Sequence, residues 1–338
     1  MTLETPEKTL EGNLLVRPVR MDDFDAALKL FNLCTKLEIG VETNTGEELR
    51  NEWNTPNWNM ETSTRGVFTP EGEMVGYVEV FDIREVPVRP NIWGRVHPDY
   101  RGRGIGGMLL DWGVERARQA IDRCPPDARV VVASWLHDSA HDAEALFASR
   151  GFFTERGSYQ MRIEMTEAPP APVWPEGITV TTLEAFKDDK AVLRAHLDAF
   201  QDHRGFVQEP FEVAYERWNH WMLKDEHFDP SLWFLAMDGE EIAGYSICIA
   251  KAWDDPEKGF VDILGVRRAY RRHGMGLALL HHTFGEFWKR GIKKVGLGVD
   301  ATSITNAVAL YERAGMHVFR RYNTYELELR PGIEYSTQ

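Results

Sequence analysis

The apolar and polar positions of this chain repeat on the scale of half its length. Apolar stripes at helical spacing cover residues 22–33 and again 187–199, each predicting an early amphipathic helix. Two strands joined by a glycine-containing turn are predicted over 66–83 and again over 233–249. Short apolar strands at 92–96 and 261–266 then run into arginine-rich loops. Beyond the loops, Met108, Leu109, Trp112 and Ala117 fall on one helical face, as do Leu279, Leu280, Phe284 and Phe287. A further strand is predicted at 129–134 and at 294–299, followed by a short helix, a glycine reversal and a last strand. Strands alternating with helices predict an α/β fold with a mostly central sheet, formed twice.

Identities support the duplication. Glu73-Met74-Val75-Gly76-Tyr77 recurs as Glu241-Ile242-Ala243-Gly244-Tyr245. Val96 with Arg101-Gly102-Arg103-Gly104-Ile105-Gly106 recurs as Val266 with Arg271-Arg272-His273-Gly274-Met275-Gly276. Ala143 to Phe147 with Gly151 recurs as Ala307 to Tyr311 with Gly315. The order is kept at offsets of 164 to 170 residues, too long for a solenoid unit. Between the copies, Pro169, Pro170, Pro172 and Pro175 predict an extended connector, because proline fixes φ and withholds a backbone donor. The expected division is 12–166 for one domain, 167–176 for the linker and 177–332 for the other.

The Arg-x-x-Gly-x-Gly loop lies between a strand and a helix in both copies. A helix start has unpaired N–H groups and partial positive charge, and glycine lets an anion approach the backbone closely. The loops therefore point to phosphate or pyrophosphate, with Arg267, Arg268, Arg271 and Arg272 adding charge in the second copy and Arg101 and Arg103 in the first. Neither loop contains Gly-x-Gly-x-x-Gly or Gly-Lys-Ser/Thr, which excludes the dinucleotide fingerprint and the Walker loop.

With these motifs in hand, the sequence resembles the GNAT (Gcn5-related) N-acetyltransferases, once per half, in the tandem arrangement of the mycothiol synthase-like group. The resemblance implies two GNAT domains, each a central mixed, splayed sheet flanked by helices, with acetyl-CoA as acyl donor and no metal. It implies cofactor contacts at Leu264, Gly265, Val266, Arg271, Arg272, His273, Gly274, Met275, Gly276 and Asn306. In the first copy the matching residues are Val96, Arg101, Gly102, Arg103, Gly104, Ile105 and Gly106. The family's frequent Asn seven residues before the Tyr is replaced here by Ile304.

Acetyl transfer to an amine needs a base for the amine and a proton for the departing thiolate. By the resemblance, Tyr311 is the general acid, and its counterpart Phe147 has no transferable proton. Asp262, four residues before Val266, is the candidate base; Ile92 stands four residues before Val96. The second copy is thus expected to be catalytic and the first a cofactor-binding or structural half. A non-catalytic acyl-CoA sensor or scaffold is the alternative. Residues 200–221 are rich in aromatics and histidine and are expected to wall the acceptor site, with His203, Asp202 and Glu209 as possible polar contacts; Tyr215, Trp218 and Trp221 also fit a buried helix face.

Composition trims the remaining classes. A net charge of −14 argues against a nucleic-acid surface. No apolar run is long enough for a membrane span, and the polar start lacks a signal core, so a cytoplasmic protein is expected. Cys34, Cys124 and Cys248 are widely spaced and expected to be buried thiols, and no His/Cys/Asp cluster has metal-ligand spacing. The expected partner is a small-molecule amine, and the chain a monomer or homodimer.

Overall fold

The computed structural model describes residues 8–10, 12–203, 206–301 and 306–335. The chain divides into two compact units, one of Met1–Glu155 with Asn323–Tyr335 and one of Arg156–Tyr322 with Ser336–Gln338.

In the first unit the order is β1 (Lys8–Leu10), β2 (Leu14–Arg17), α1 (Phe24–Ile39), α2 (Gly46–Trp53), α3 (Met60–Ser63), β3 (Thr64–Phe68), β4 (Met74–Phe81), β5 (Asn91–Val96), α4 (Ile105–Arg118), β6 (Val130–His137) and α5 (His141–Ser149). Strands β1 to β5 pair antiparallel in sequence, and β6 joins β5 in parallel. Strand β7 (Phe153–Glu164) leads into the second unit. There follow β8 (Ile178–Thr182), α6 (Leu183–Phe186), α7 (Asp189–Phe200), α8 (Phe211–Trp218), β9 (Trp233–Asp238), β10 (Glu241–Ile249), β11 (Lys258–Val266), α9 (Met275–Lys289), β12 (Lys294–Asp300), α10 (Ala307–Arg313) and β13 (His317–Arg330). Here β8 to β11 pair antiparallel and β12 joins β11 in parallel. The expected mixed α/β architecture is present in both halves.

The compact units depart from the linear division at 167–176. Residues 167–176 carry neither helix nor strand, yet the chain passes from one unit to the other within β7. Ser158 to Glu164 of β7 pair antiparallel with Asp300 to Lys294 of β12, inside the second unit. The far end of the chain returns to the first. Arg129 donates to Glu328 at 2.9 Å and to Glu334 at 3.1 Å, and the Ile333 backbone bonds Asp127 and Arg129. Most of the last strand of each sequence copy is therefore counted with the unit built by the other. Local periodicity carries no record of this, because strand partners are chosen by edges far away in sequence.

Period-two alternation sets the core of the second unit. Trp233, Leu235 and Met237 of β9 pack with α7 and α8, whereas Phe234 and Ala236 face the clusters containing α9. Trp218 and Tyr215 of α8 join the first of these clusters, as their helical spacing predicts. All three cysteines are free and buried. Among the described residues no helix is long and apolar enough to cross a membrane.

The first unit buries an unusual acidic pair. Glu79 is 4% exposed and accepts from the Tyr77 hydroxyl at 2.6 Å. Burial and the neighbouring Glu52 push the Glu79 carboxyl well above the ordinary carboxylate range, and burial raises Glu52 as well. A carboxyl raised in the folded state stabilises below its unfolded pKa of about 4.3, and that stability is lost as pH rises through the folded value. Glu79→Gln is therefore expected to raise the melting temperature at pH 9 and to give no gain at pH 4. Melting curves of both proteins at the two pH values check this; an equal difference at both would contradict it.

Candidate active site

The second unit opens where β11 and β12 part. Their parallel pairing runs from Lys258↔Lys294 to Val261↔Leu297 and then stops, while β11 stays paired to β10 as far as Val266. The equivalent strands of the first unit, β5 and β6, pair at Asn91↔Ala133 and part from there. Both units thus hold a wedge between adjacent parallel strands, with the glycine loop following its first strand.

Asp262 stands at the vertex, as the first β11 residue beyond the last β12 pair. It occupies that place because of a bulge. Ile247 pairs with Ile263 and Cys248 with Val261, so Asp262 is one extra residue on β11. This corrects the linear match of Asp262 to Ile92. In the first unit Val80 pairs with Ile92 in an unbroken β4–β5 ladder, which makes Ile92 the counterpart of Val261. Ile92 is buried against Gly113 of α4, and Asp262 has no counterpart. Asp262 is exposed to solvent at this vertex, with protein atoms dense enough around it to desolvate its carboxyl in part. This desolvation, with the like charge of Asp225 second, pushes its carboxyl up to about 6. Asp225, in the turn after α8, stands out by no motif and escaped sequence reasoning.

Tyr311 lies on α10, 8% exposed, in the apolar cluster that includes Val261 and Leu297, the last pair before the strands separate. Burial pushes its phenol up to about 12, so it holds its proton throughout the neutral range. Among the described residues no hydrogen bond engages its hydroxyl. Phe147, the counterpart on α5, is buried, stacks on Phe152 at 4.9 Å and meets Tyr325 edge-on. Asn306 is the exposed N-cap of α10 in a left-handed conformation; residues 302–305, with Ile304, lie outside the described residues.

The loop residues divide by role. Helix α9 starts after Gly274, at φ 84°, with no side chain capping its first turn. A Cβ on Gly274 would meet nothing within 4 Å, so the space over this uncapped helix end is open. Gly104 at the start of α4 is the same, with φ 80°. Arg272 takes a left-handed φ of 67° where Gly102 takes 74° in the other copy, and both Arg272 and His273 are exposed. Gly276 has a packing role, because its Cβ would come within 3.0 Å of Leu310 on α10. Met275 is buried under the loop.

Gly265 is also a packing glycine. A Cβ there would lie 2.2 Å from the ring of Tyr245, which is fully buried and bonded to His196 Nδ1 at 3.0 Å. Gly265→Ala is expected to destabilise by about 1–3 kcal/mol, because overpacking a fixed ring shifts β10 against β11. The measurement is a denaturant midpoint for the two proteins.

The polar groups expected to address the acceptor are mostly engaged elsewhere. Glu209 pairs with both terminal nitrogens of Arg217, and Asp202 with Arg271 and Arg268. Burial lowers the pKa of His203, whose ring packs on Phe200 at 4.2 Å. Burial also brings His196 down to about 4, so both rings are neutral at pH 7.

With this geometry, similarity to known proteins becomes informative. The Acetyltransferase (GNAT) family profile matches residues 192–316, and the Acetyltransferase (GNAT) domain profile matches 64–153. Mycothiol acetyltransferase of Catenulispora acidiphila is 32% identical over 251 residues, covering 73% of this chain and 75% of that protein. The mycothiol acetyltransferase of Streptomyces bingchenggensis is 32% identical, covering 77% of each. The crystal structure of a GCN5-related N-acetyltransferase from Sphaerobacter thermophilus superposes with a TM-score of 0.78 at 33% identity, covering 98% of this chain and all (100%) of that one. A tandem GNAT protein from the clavulanic acid biosynthesis pathway shares the fold, with a TM-score of 0.68 at 16% identity over 95% of this chain and 100% of that one. Two family matches in series and relatives at this identity establish that the chain belongs to the GNAT family, as a tandem, acetyl-CoA-dependent N-acetyltransferase.

Proposed function

We propose that the second unit carries the reaction, transferring acetyl from acetyl-CoA to the amine of a small molecule, with Asp262 as base and Tyr311 as acid. The observation that carries this reading is the bulge that sets a carboxylate at the vertex of one wedge and not of the other. The donor's pyrophosphate would meet the uncapped start of α9, with the exposed Arg272 in the same loop, and its pantetheine arm would run along Leu264 to Val266. A carboxylate titrating near 6 is ionised at neutral pH and basic enough to take the amine proton. As the neutral amine nitrogen bonds the acetyl carbon, its proton passes to Asp262; the carbon–sulfur bond breaks, the thiolate takes the Tyr311 proton, and the proton held by Asp262 returns through solvent to the phenolate.

The first unit keeps the open loop at Gly102 and Gly104 but has Phe147 and no bulge between β4 and β5, so we assign it a cofactor-binding or structural role. The relatives named above are mycothiol acetyltransferases, so an amine of the mycothiol kind is the first acceptor to try. The test is calorimetry with acetyl-CoA together with a thiol-release assay over a panel of amines, amino sugars included. Turnover with at least one amine is expected; binding of acetyl-CoA without thiol release on any of them would favour an acyl-CoA sensor instead.

A further inference from the structure

We propose that Arg271 and Asp202 form a positioning pair for the donor loop, in which the arginine that opens the Arg-x-x-Gly-x-Gly motif holds the loop's shape and does not bind phosphate. The inference rests on the reading of the α9 start as the pyrophosphate site, and it reassigns the motif's leading charge.

A guanidinium has five N–H donors in a fixed fork. Four are committed here. Nε donates to the Val266 carbonyl at 3.0 Å, and Nη2 to the Ala199 carbonyl at 2.6 Å and to Asp202 Oδ1 at 3.0 Å. Nη1 donates to Asp202 Oδ2. The side chain thus ties together three places: the end of β11, the end of α7 and the turn after α7. Its bidentate bond holds the Asp202 carboxyl down at about 2, so the pair stays ionised across the working range. Arg268 shares Asp202 at 3.3 Å, and Arg267 is held by Asp198 at 2.6 Å and Glu241 at 3.2 Å. Of the four arginines around this loop, Arg272 is the one for which no ion pair occurs among the described residues.

The first unit lacks the device. There the carbonyl of Val96, the counterpart of Val266, faces the Cys34 thiol at 3.7 Å. Arg101, the counterpart of Arg271, is exposed, and among the described residues no carboxylate bonds it. The cinch therefore occurs in the half that also carries Asp262 and Tyr311. A loop whose backbone N–H groups must converge on an anion gains from being fixed beforehand, because ordering it on binding would cost affinity.

The two roles predict opposite signs. If Arg271 were a phosphate ligand held back by Asp202, Asp202→Asn would free its charge and tighten acetyl-CoA. As a positioning pair, Asp202→Asn loosens the loop and weakens acetyl-CoA by about three- to tenfold, the loss of a partly solvated charged fork. The experiment uses the full chain carrying Gly104→Val, which spoils the first unit's loop so that titration with acetyl-CoA reads the second. Asp202→Asn and Arg271→Gln are each expected to weaken binding, the double variant no more than either alone, and Asp202→Glu to recover part of the loss. In turnover, the donor KM should rise while kcat and the amine KM hold. Tighter binding by Asp202→Asn, additive losses, or no change would overturn the proposal while leaving the site reading intact. Failure of the Gly104→Val parent to bind acetyl-CoA would overturn both.

Discussion

Asp262→Asn is expected to lower kcat/KM by about 10²–10⁴, the usual contribution of a positioned general base. The asparagine has nearly the same shape, so it fills the bulge without asking β11 to move. What it lacks is the ability to take a proton from the amine. The wild-type rate should rise with pH through a limb centred at about 6, the pH at which Asp262 ionises. That limb should vanish in the variant. Its origin can be tested separately: Asp225→Asn removes the like charge that helps raise Asp262, so the limb should move to lower pH with the plateau rate retained.

The same substitution has an opposite effect on stability. A carboxyl whose folded pKa lies above its unfolded value contributes stability below the unfolded pKa, near 3.8, and loses it as pH rises through about 6. Above pH 6 the wild type therefore holds an ionised group in a partly desolvated wedge at some cost. Asp262→Asn should melt at a higher temperature than the wild type at pH 8 and without that gain at pH 4. An inactive yet more stable variant is the signature of a group retained for chemistry. An unchanged pH–rate profile in Asp262→Asn would remove Asp262 from the mechanism.

These expectations depend on a residue that the sequence identified through a mistaken comparison. Asp262 draws notice because it lies four residues before Val266, as Ile92 does before Val96, and a difference at matched positions suggests lost chemistry. Strand pairing matches Ile92 with Val261 instead. A one-residue bulge leaves no mark in composition or period, since it is defined by two residues facing one on the neighbouring strand. The loops and the order of elements were legible because they are local: glycines at a helix start, and apolar spacing along a strand or helix. The fates of the arginines were not. Arg271 and Asp202 are 69 residues apart, and the acidic pair Glu52 and Glu79 joins a helix to a strand across the first unit's core. Nor could spacing show that Gly265 and Gly276 serve packing, because both stand in the same motifs as Gly274. Side chains that meet through the fold are invisible to periodicity, whichever copy they occupy.

Tyr311→Phe should lower kcat by about 10²-fold or more, while changing stability by less than about 1 kcal/mol. The ring's packing with Val261, Leu297 and their neighbours is retained; only the proton for the departing thiolate is lost. Because burial holds this phenol at about 12, the wild-type rate should not fall through Tyr311 ionising anywhere below pH 10, which separates its role from that of Asp262. The reciprocal change sharpens the point. Adding Phe147→Tyr to Tyr311→Phe should restore nothing, although the first unit would then hold both a glycine loop and a tyrosine. Its β4–β5 ladder runs without an extra residue, and Ile92 is directed into the core against α4, so no carboxylate stands at its vertex. Single-turnover transfer from acetyl-CoA, followed by release of the free thiol, reads both variants. Full activity in Tyr311→Phe would discard the acid assignment, whereas activity regained with Phe147→Tyr would mean that a tyrosine suffices and that the bulged aspartate is not what makes the two halves unequal.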